Sequence, residues 1–311
     1  MSLGIVAMMI AGVIFTVGGC MYIFSKVGDF DPIAVIGGAR ADVETPRVLE
    51  LNLGGIISLD AGSSSFYSDK NSSATVLRAI REATGDESIR GILLNIDSGG
   101  GEMTASDIIW KALCDFKEGG SDRYVVVHMG AVAASGAYYI SCAADKIVAH
   151  PTTMTGSIGV KIPSYNVKEL TDKIGIKNVT ITSGENKEIT HPMNDMTPEQ
   201  EAILRKNVMQ LHERFVSIIV KGRGLAEENA NAIADGRILL AAEAESEGLI
   251  DLIGYEKDAK KLFEDRFGEK PIFIRHVSGP FSFLKNPAFY GEAAAAAIEA
   301  ASKSEERLTI R

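Results

Sequence analysis

No charged side chain occurs in the first 24 residues, MSLGIVAMMIAGVIFTVGGCMYIF. As a helix, that stretch is long enough to cross the roughly 30 Å hydrocarbon core of a bilayer. It also lacks the Lys or Arg with which a cleaved signal peptide usually begins, so an uncleaved single-pass anchor over 1–24 is expected. TVGGC at Thr16–Cys20 only faintly resembles a lipoprotein cleavage site. Basic runs are missing too. None exceeds a pair such as Lys260-Lys261, and the net charge is −9. That balance excludes a dedicated nucleic-acid binder, which carries a basic patch. Cysteine is scarce: Cys20, Cys114 and Cys142 have no metal-ligand spacing. Cys114 and Cys142 sit in apolar, helix-like stretches, as buried free thiols do. No internal repeat is present.

Beyond the apolar start, periodicity orders the chain. Residues 25–47 are polar and punctuated by Gly and Pro, as a linker is. From Val48 the pattern alternates between strand and helix. VLELNLGGIIS reads as strand and turn, and SATVLRAIREATG as a helix stopped by Gly85. IRGILLNID and RYVVVHM are nearly continuous apolar runs, as expected of strands buried on both faces. TASDIIWKALCDF reads as a helix in which Thr104 and Asp107 have capping-box spacing. SGAYYISCAA is a further helix and KIVAH a short strand. Repeated β-α-β implies an α/β fold with a mostly parallel sheet between helices. A long helix begins at TPEQ, with Thr197 and Gln200 as a capping box and Pro198 in the first helical position. Ile203, Leu204, Val208, Leu211, Phe215 and Ile218 form its apolar stripe, and Gly222 and Gly224 end it. The domain so defined spans 48–278. An alanine-rich tail, 279–311, has few large apolar residues to dock it.

Two stretches carry chemistry. In NIDSGGGEM, Gly99, Gly100 and Gly101 lie between a buried strand and a helix, where backbone N–H groups can converge on one oxygen. The spacing is not that of a dinucleotide fingerprint. In GAVAASGAYYIS, Ser135 stands where tiny side chains give way to bulky ones, at a helix start that favours developing negative charge. A serine there is either a cap or a nucleophile. A nucleophile needs a base. His191 in its loop is one candidate. A lysine is another, and its pKa of about 10.4 must then fall by roughly three units through burial. Lys161, Lys168, Lys173, Lys177 and Lys187 all lie downstream, and spacing does not choose among them. Ser157, in TGSIGV, reads as structural or substrate-lining.

Four blocks in order resemble the signal peptide peptidase A family, membrane-anchored Ser-Lys peptidases of the S49 type. They are GILLNIDSGGGEM, GAVAASGAYYISCAADKIVAHPTTMTGSIGV, LTDKIGIKNVTITSGENKEITHPMNDMTPEQ and ADGRILLAAEAESEGLIDLIG, covering residues from about 50 to 255. The resemblance implies a ClpP/crotonase-like fold with repeated β-β-α units, and catalysis without metal, ATP or other cofactor. It implies Ser135 as nucleophile and Lys187 as base. Gly101 and Gly136 become oxyanion donors, with Gly100 shaping the turn. Where the family usually has Ser-Pro-Gly-Gly, this chain has Ser98-Gly99-Gly100-Gly101, so its turn is less restrained when unfolded. The resemblance further implies a homo-octameric ring, a membrane location and peptide substrates, namely cleaved signal-peptide remnants and other unfolded hydrophobic segments. It places the catalytic domain outside the cytoplasm, whereas Lys26, close to Asp29 and Asp31, leans weakly the other way. Two rivals are a crotonase-type acyl-CoA enzyme and a catalytically inactive, membrane-anchored interaction protein.

Overall fold

The computed structural model describes residues 45–59 and 72–275. The expected anchor over 1–24, the linker apart from its last three residues, the alanine-rich tail and His276 lie outside the described residues. Among the described residues no helix is long and apolar enough to cross a membrane.

Among the described residues the apolar runs become the centre of an eight-stranded mixed sheet. Strands β1 (Arg47–Gly54), β2 (Ile89–Ser98) and β3 (Tyr124–Ala134) pair in parallel, with β8 (Ile272–Arg275) beside β1. Ile92, Leu93 and Leu94 of β2 and Val125, Val126 and Val127 of β3 are wholly buried. Both sheet faces are covered at that level, which explains their unbroken hydrophobicity. The α/β class is as expected, with one antiparallel pairing in an otherwise parallel sheet. β3 forks. Its first half pairs with β4 (Lys146–Ala149), which in turn pairs with β7 (Leu252–Ile253). Its second half pairs with β5 (Met154–Gly156), on which β6 (Ile238–Leu240) lies antiparallel.

The fork begins at a bulge. Ile96 pairs with Met129, but Ser98 pairs with Ala133, so β3 carries extra residues against β2. The small residues of GAVAA fit this place. A β-carbon on Gly130 would lie 3.3 Å from the side chain of Asp97, and Asp97 accepts the Val132 N–H at 3.0 Å.

Helices α1 (Ser73–Thr84), α2 (Met103–Glu118) and α3 (Gly136–Ser141) supply much of the larger core, with the C-terminal end of α5 (Pro198–Arg223). The opposite face is closed by α8 (Glu256–Phe267), whose Ala259 and Phe263 pack on Val48, Leu93, Val126 and Val148. Ser72 caps α1 by accepting the Thr75 N–H at 3.4 Å. The Thr197–Gln200 capping box forms at both of its bonds.

Three local expectations need correction. The Thr104–Asp107 box does not form, because α2 already starts at Met103 and its cap residue, Glu102, makes no side-chain cap bond. Gly222 does not end α5; Gly224 does, at φ 66°. Gly222 instead admits close approach, since a β-carbon there would lie 2.2 Å from the Cys142 carbonyl oxygen. The stripe on α5 enters the core only at its end. Phe215, Val216, Ile218 and Ile219 are buried, whereas Ile203 and Leu211 are exposed. From Gly159 to Arg214 no residue is buried, including all of α4 (Lys168–Lys173). This arm displays Val179 and Ile181, 85% and 97% exposed. Two short helices, α6 (Glu227–Ile233) and α7 (Ala241–Ser246), return the chain to the sheet.

Candidate active site

The C-terminal ends of β2 and β3 face each other through glycine. Gly100 has φ +99°, and a β-carbon on it would lie 2.8 Å from the Gly136 nitrogen and 2.9 Å from the Ser135 β-carbon. The glycine turn therefore rests directly on the backbone of Ser135–Gly136. A β-carbon on Gly101 would lie 2.1 Å from the Ile57 carbonyl oxygen. On Gly136 it would lie 2.4 Å from the Ser106 hydroxyl oxygen and 3.3 Å from the Gly101 nitrogen. Any side chain at these positions forces the pieces apart.

Ser135 precedes α3 with φ 54° and ψ −122°, a conformation L residues adopt only when their surroundings impose it. Two backbone bonds do so: Ser135 N–H donates to the Gly156 carbonyl at 2.9 Å, and the Ser135 carbonyl accepts the Tyr139 N–H at 2.9 Å. Its side chain makes no cap bond to α3, so the capping role leaves the hydroxyl unused.

The bulky run after Ser135 fixes α3. Tyr138, Tyr139 and Ile140 are wholly buried. Tyr138 donates its hydroxyl to the Leu249 carbonyl at 2.9 Å, and Tyr139 donates to Asp107. Burial, and then the bond to Asp107, push the Tyr139 hydroxyl well above its usual range. Burial pushes the Cys142 thiol up to about 12, leaving it an inert free thiol. Cys114 is only half-buried.

Two N–H groups beside Ser135 remain for a ligand. Gly136 opens α3, where an N–H has no intrahelical acceptor. Gly101 bridges Ile57, but through its neighbours. Ile57 N–H donates to the Gly100 carbonyl at 3.1 Å and Glu102 N–H to the Ile57 carbonyl at 2.8 Å. Among the described residues neither the Gly101 nor the Gly136 N–H donates a hydrogen bond. A groove of about 420 Å³ runs alongside, lined by Gly55, Ile56, Asp97, Ser98, Gly99, Gly100 and Val132. Such a set of donors beside a serine can hold the oxyanion of an acyl transfer.

The candidate bases stand differently. Lys187 is exposed in a turn of the arm, its own N–H donating to the Gly184 carbonyl at 3.1 Å. No hydrogen bond joins it to Ser135 within one chain, and the burial a neutral amine needs is not supplied there. Lys168 pairs with Asp172 at 2.8 Å. His191 accepts the Met193 N–H at 3.2 Å. His128 bonds Asn95 across the sheet at 3.1 Å. The structure thus brings Ser135, Gly100, Gly101 and Gly136 together and leaves Lys187 apart from them in hydrogen bonding.

Sequence reasoning missed two serines around this centre and left a third, Ser157, open. Ser157 has φ 50°; it and Ser135 are the non-glycine residues with positive φ among those described, and Gly156 links them. Ser106 lies wholly buried under Gly136, its hydroxyl bonded to the Glu102 carbonyl at 2.9 Å. Ser98 is buried beneath the glycine turn. In sequence Ser98, next to glycines, looks like turn filler and Ser106 like an ordinary polar residue of a helix, and only burial distinguishes them.

Residues 120–268 match the model of peptidase family S49. A candidate signal peptide peptidase SppA of Enterococcus faecium is 34% identical over 214 residues, 68% of this chain and 61% of that protein. Protease 4 of Haemophilus influenzae is 34% identical over 198 residues, covering 63% of this chain and 31% of that protein. The chloroplastic serine protease SPPA of Arabidopsis thaliana is 30% identical over 209 residues, 67% of this chain and 30% of that protein. The matched part therefore spans about three fifths or less of these relatives. A solved ClpP1 variant from Listeria monocytogenes aligns at 17% identity and TM-score 0.44, covering 68% of this chain and 93% of that one.

Proposed function

The chain belongs to peptidase family S49, and from that premise we propose that it is a membrane-anchored serine endopeptidase with a Ser-Lys dyad. The observation that carries the reading is Ser135 itself. It has a strained backbone and a hydroxyl unused in capping, and it packs against a glycine turn with two uncommitted amides. In this reading neutral Lys187 takes the Ser135 proton as the hydroxyl oxygen attacks a peptide carbonyl. The carbonyl oxygen, now negative, is held by the N–H groups of Gly101 and Gly136, with Gly100 shaping the turn. The lysine ammonium then protonates the leaving amine. A water deprotonated by the same lysine hydrolyses the ester, returning the proton to Ser135. No metal, ATP or other cofactor is required.

Lys187 is exposed in the single chain and belongs to an arm with no buried residue. We therefore assign its proton-transfer partner to a neighbouring copy in a homo-octameric ring, whose packing also buries the apolar arm and supplies the desolvation a neutral lysine needs. The substrates in this reading are signal-peptide remnants and other unfolded hydrophobic segments. A single-pass anchor over 1–24 holds the enzyme at the membrane with its catalytic domain outside the cytoplasm.

The test is labelling with a serine-reactive fluorophosphonate and then peptide mapping, together with mixing of inactive chains. Ser135 carries the adduct, and Ser135→Ala abolishes it. Ser135→Ala and Lys187→Ala chains, each inactive alone, regain activity when they co-assemble. Adduct on Ser157, or mixed rings that stay inactive, overturns the corresponding part.

A further inference from the structure

The glycine turn must hold two successive peptide planes still while its glycines allow almost any conformation. The peptide joining Gly100 to Gly101 carries both the Gly100 carbonyl and the Gly101 N–H. That carbonyl is fixed by Ile57 N–H at 3.1 Å. Because a trans peptide is planar, the Gly101 N–H is then directed away from Ile57. The preceding plane, between Gly99 and Gly100, has a different anchor. Its N–H, on Gly100, donates to the Ser98 hydroxyl oxygen at 3.1 Å, and the same hydroxyl donates to the Gly55 carbonyl at 2.6 Å. Ser98 is 3% exposed, so its hydroxyl is largely shielded from water. One hydroxyl thus ties the end of β1, the end of β2 and the turn.

Among the described residues Gly99 itself has no such support. A β-carbon on Gly99 would meet no atom within 4 Å, and the residue is exposed. We propose that Ser98 is a positioning residue for the oxyanion turn, holding Gly100 at its positive φ so that the Gly101 N–H stays aimed at the reacting carbonyl oxygen. The role rests on the peptidase reading above. It makes Ser98 act in the transition state, through Gly101, without touching the substrate's ground state.

Ser98→Ala removes both bonds with little change in volume. The measurements are kcat and KM on an unfolded hydrophobic peptide, the rate of fluorophosphonate adduct formation, and the thermal midpoint of the full chain. The expected result is a kcat about 10- to 100-fold lower with KM changed less than about threefold, the range of a weakened oxyanion donor. Adduct formation slows in parallel, because the phosphonyl oxygen occupies the same position. Adding Gly99→Pro restores part of the rate, since proline restricts the turn at an open site where the N–H makes no bond among the described residues. A purely structural serine would lower the thermal midpoint and leave kcat per folded molecule unchanged, and that outcome overturns the proposal. If Ser98→Ala does not fold, Ser98→Cys replaces it; its weaker bonds predict an intermediate loss, and wild-type rates overturn the idea. A wild-type chain that takes no adduct at Ser135 removes the premise and the proposal together. A labelled wild type with an equally fast Ser98→Ala removes the proposal alone.

Discussion

Arg214 and Asp107 join α5 to α2: two guanidinium nitrogens reach one carboxylate oxygen at 3.3 and 3.0 Å. The same oxygen accepts the hydroxyl of Tyr139, four residues beyond Ser135 on α3. The guanidinium also lies 5.2 Å from the ring centre of Trp110. Every residue back from here to Gly159 is unburied, so this junction stands where the arm that bears Lys187 meets the core.

Arg214→Ala should therefore cost more activity than stability. Both partners are close to half exposed, and such a pair contributes about 1 kcal/mol or less. Activity of the assembled enzyme should fall tenfold or more. Arg214→Lys should restore little, because a lysine cannot reproduce the planar, two-nitrogen contact. Urea unfolding and peptide turnover on the same preparations decide it. A drop in turnover matched by the drop in folded fraction would show that the junction only supports the fold.

The strain at Ser135 predicts unequal stability from two inactive variants. Ser135→Ala keeps φ 54° and should be nearly neutral in stability. Ser135→Gly relieves roughly 1–3 kcal/mol of backbone strain while adding unfolded-state entropy, for a net gain of about 1 kcal/mol. Calorimetry compares them directly. Equal midpoints would mean that the conformation is not strained.

At Gly136 the obstacle to a side chain is mainly Ser106. Gly136→Ala sets a methyl 2.4 Å from the Ser106 hydroxyl oxygen, an overlap worth about 1–3 kcal/mol. Adding Ser106→Ala removes that oxygen and should recover at least about 1 kcal/mol, a coupling a double-mutant cycle measures. Activity should stay lost, because the methyl still lies 3.3 Å from the Gly101 nitrogen, where a substrate oxygen has to fit. Recovery of both together would place the oxyanion elsewhere.

These variants also mark what the amino-acid order discloses. The buried strands are legible because Ile92–Leu94 and Val125–Val127 must be apolar on both faces. The Thr197–Gln200 box is legible because capping is local. Local rules mislead at Asp107, whose carboxylate serves Tyr139 and Arg214, residues distant in sequence. The stripe on α5 is a true apolar face, but periodicity does not say whether its cover comes from the same chain. Glycines announce the turn; the buried hydroxyls of Ser98 and Ser106 do not, since burial is a tertiary property. Lys187 stands out among five lysines only by resemblance, and nothing in its own neighbourhood in the single chain distinguishes it.

His128 makes the fold sensitive to acid. Asn52, Asn95 and His128 are register partners across β1, β2 and β3. Asn95 donates to Asn52 at 3.2 Å and bonds the His128 Nδ1 at 3.1 Å, while His128 Nε2 is buried without a partner among the described residues. Burial holds His128 below its ordinary 6.5; Lys260 and His150 push the same way, and Glu256 opposes them. The folded chain then binds this proton less readily than the unfolded one. Its contribution is fully present above pH 6.5 and is lost as pH falls from there toward the lowered folded value. His128→Gln, which keeps a hydrogen-bonding partner for Asn95 and does not titrate, should flatten this part of the profile. Urea midpoints of both chains from about pH 8 to about pH 5 should run parallel above about pH 7 and diverge below it, with the wild type losing more. Parallel curves throughout would mean that His128 already gains its proton as easily in the folded sheet as in the open chain.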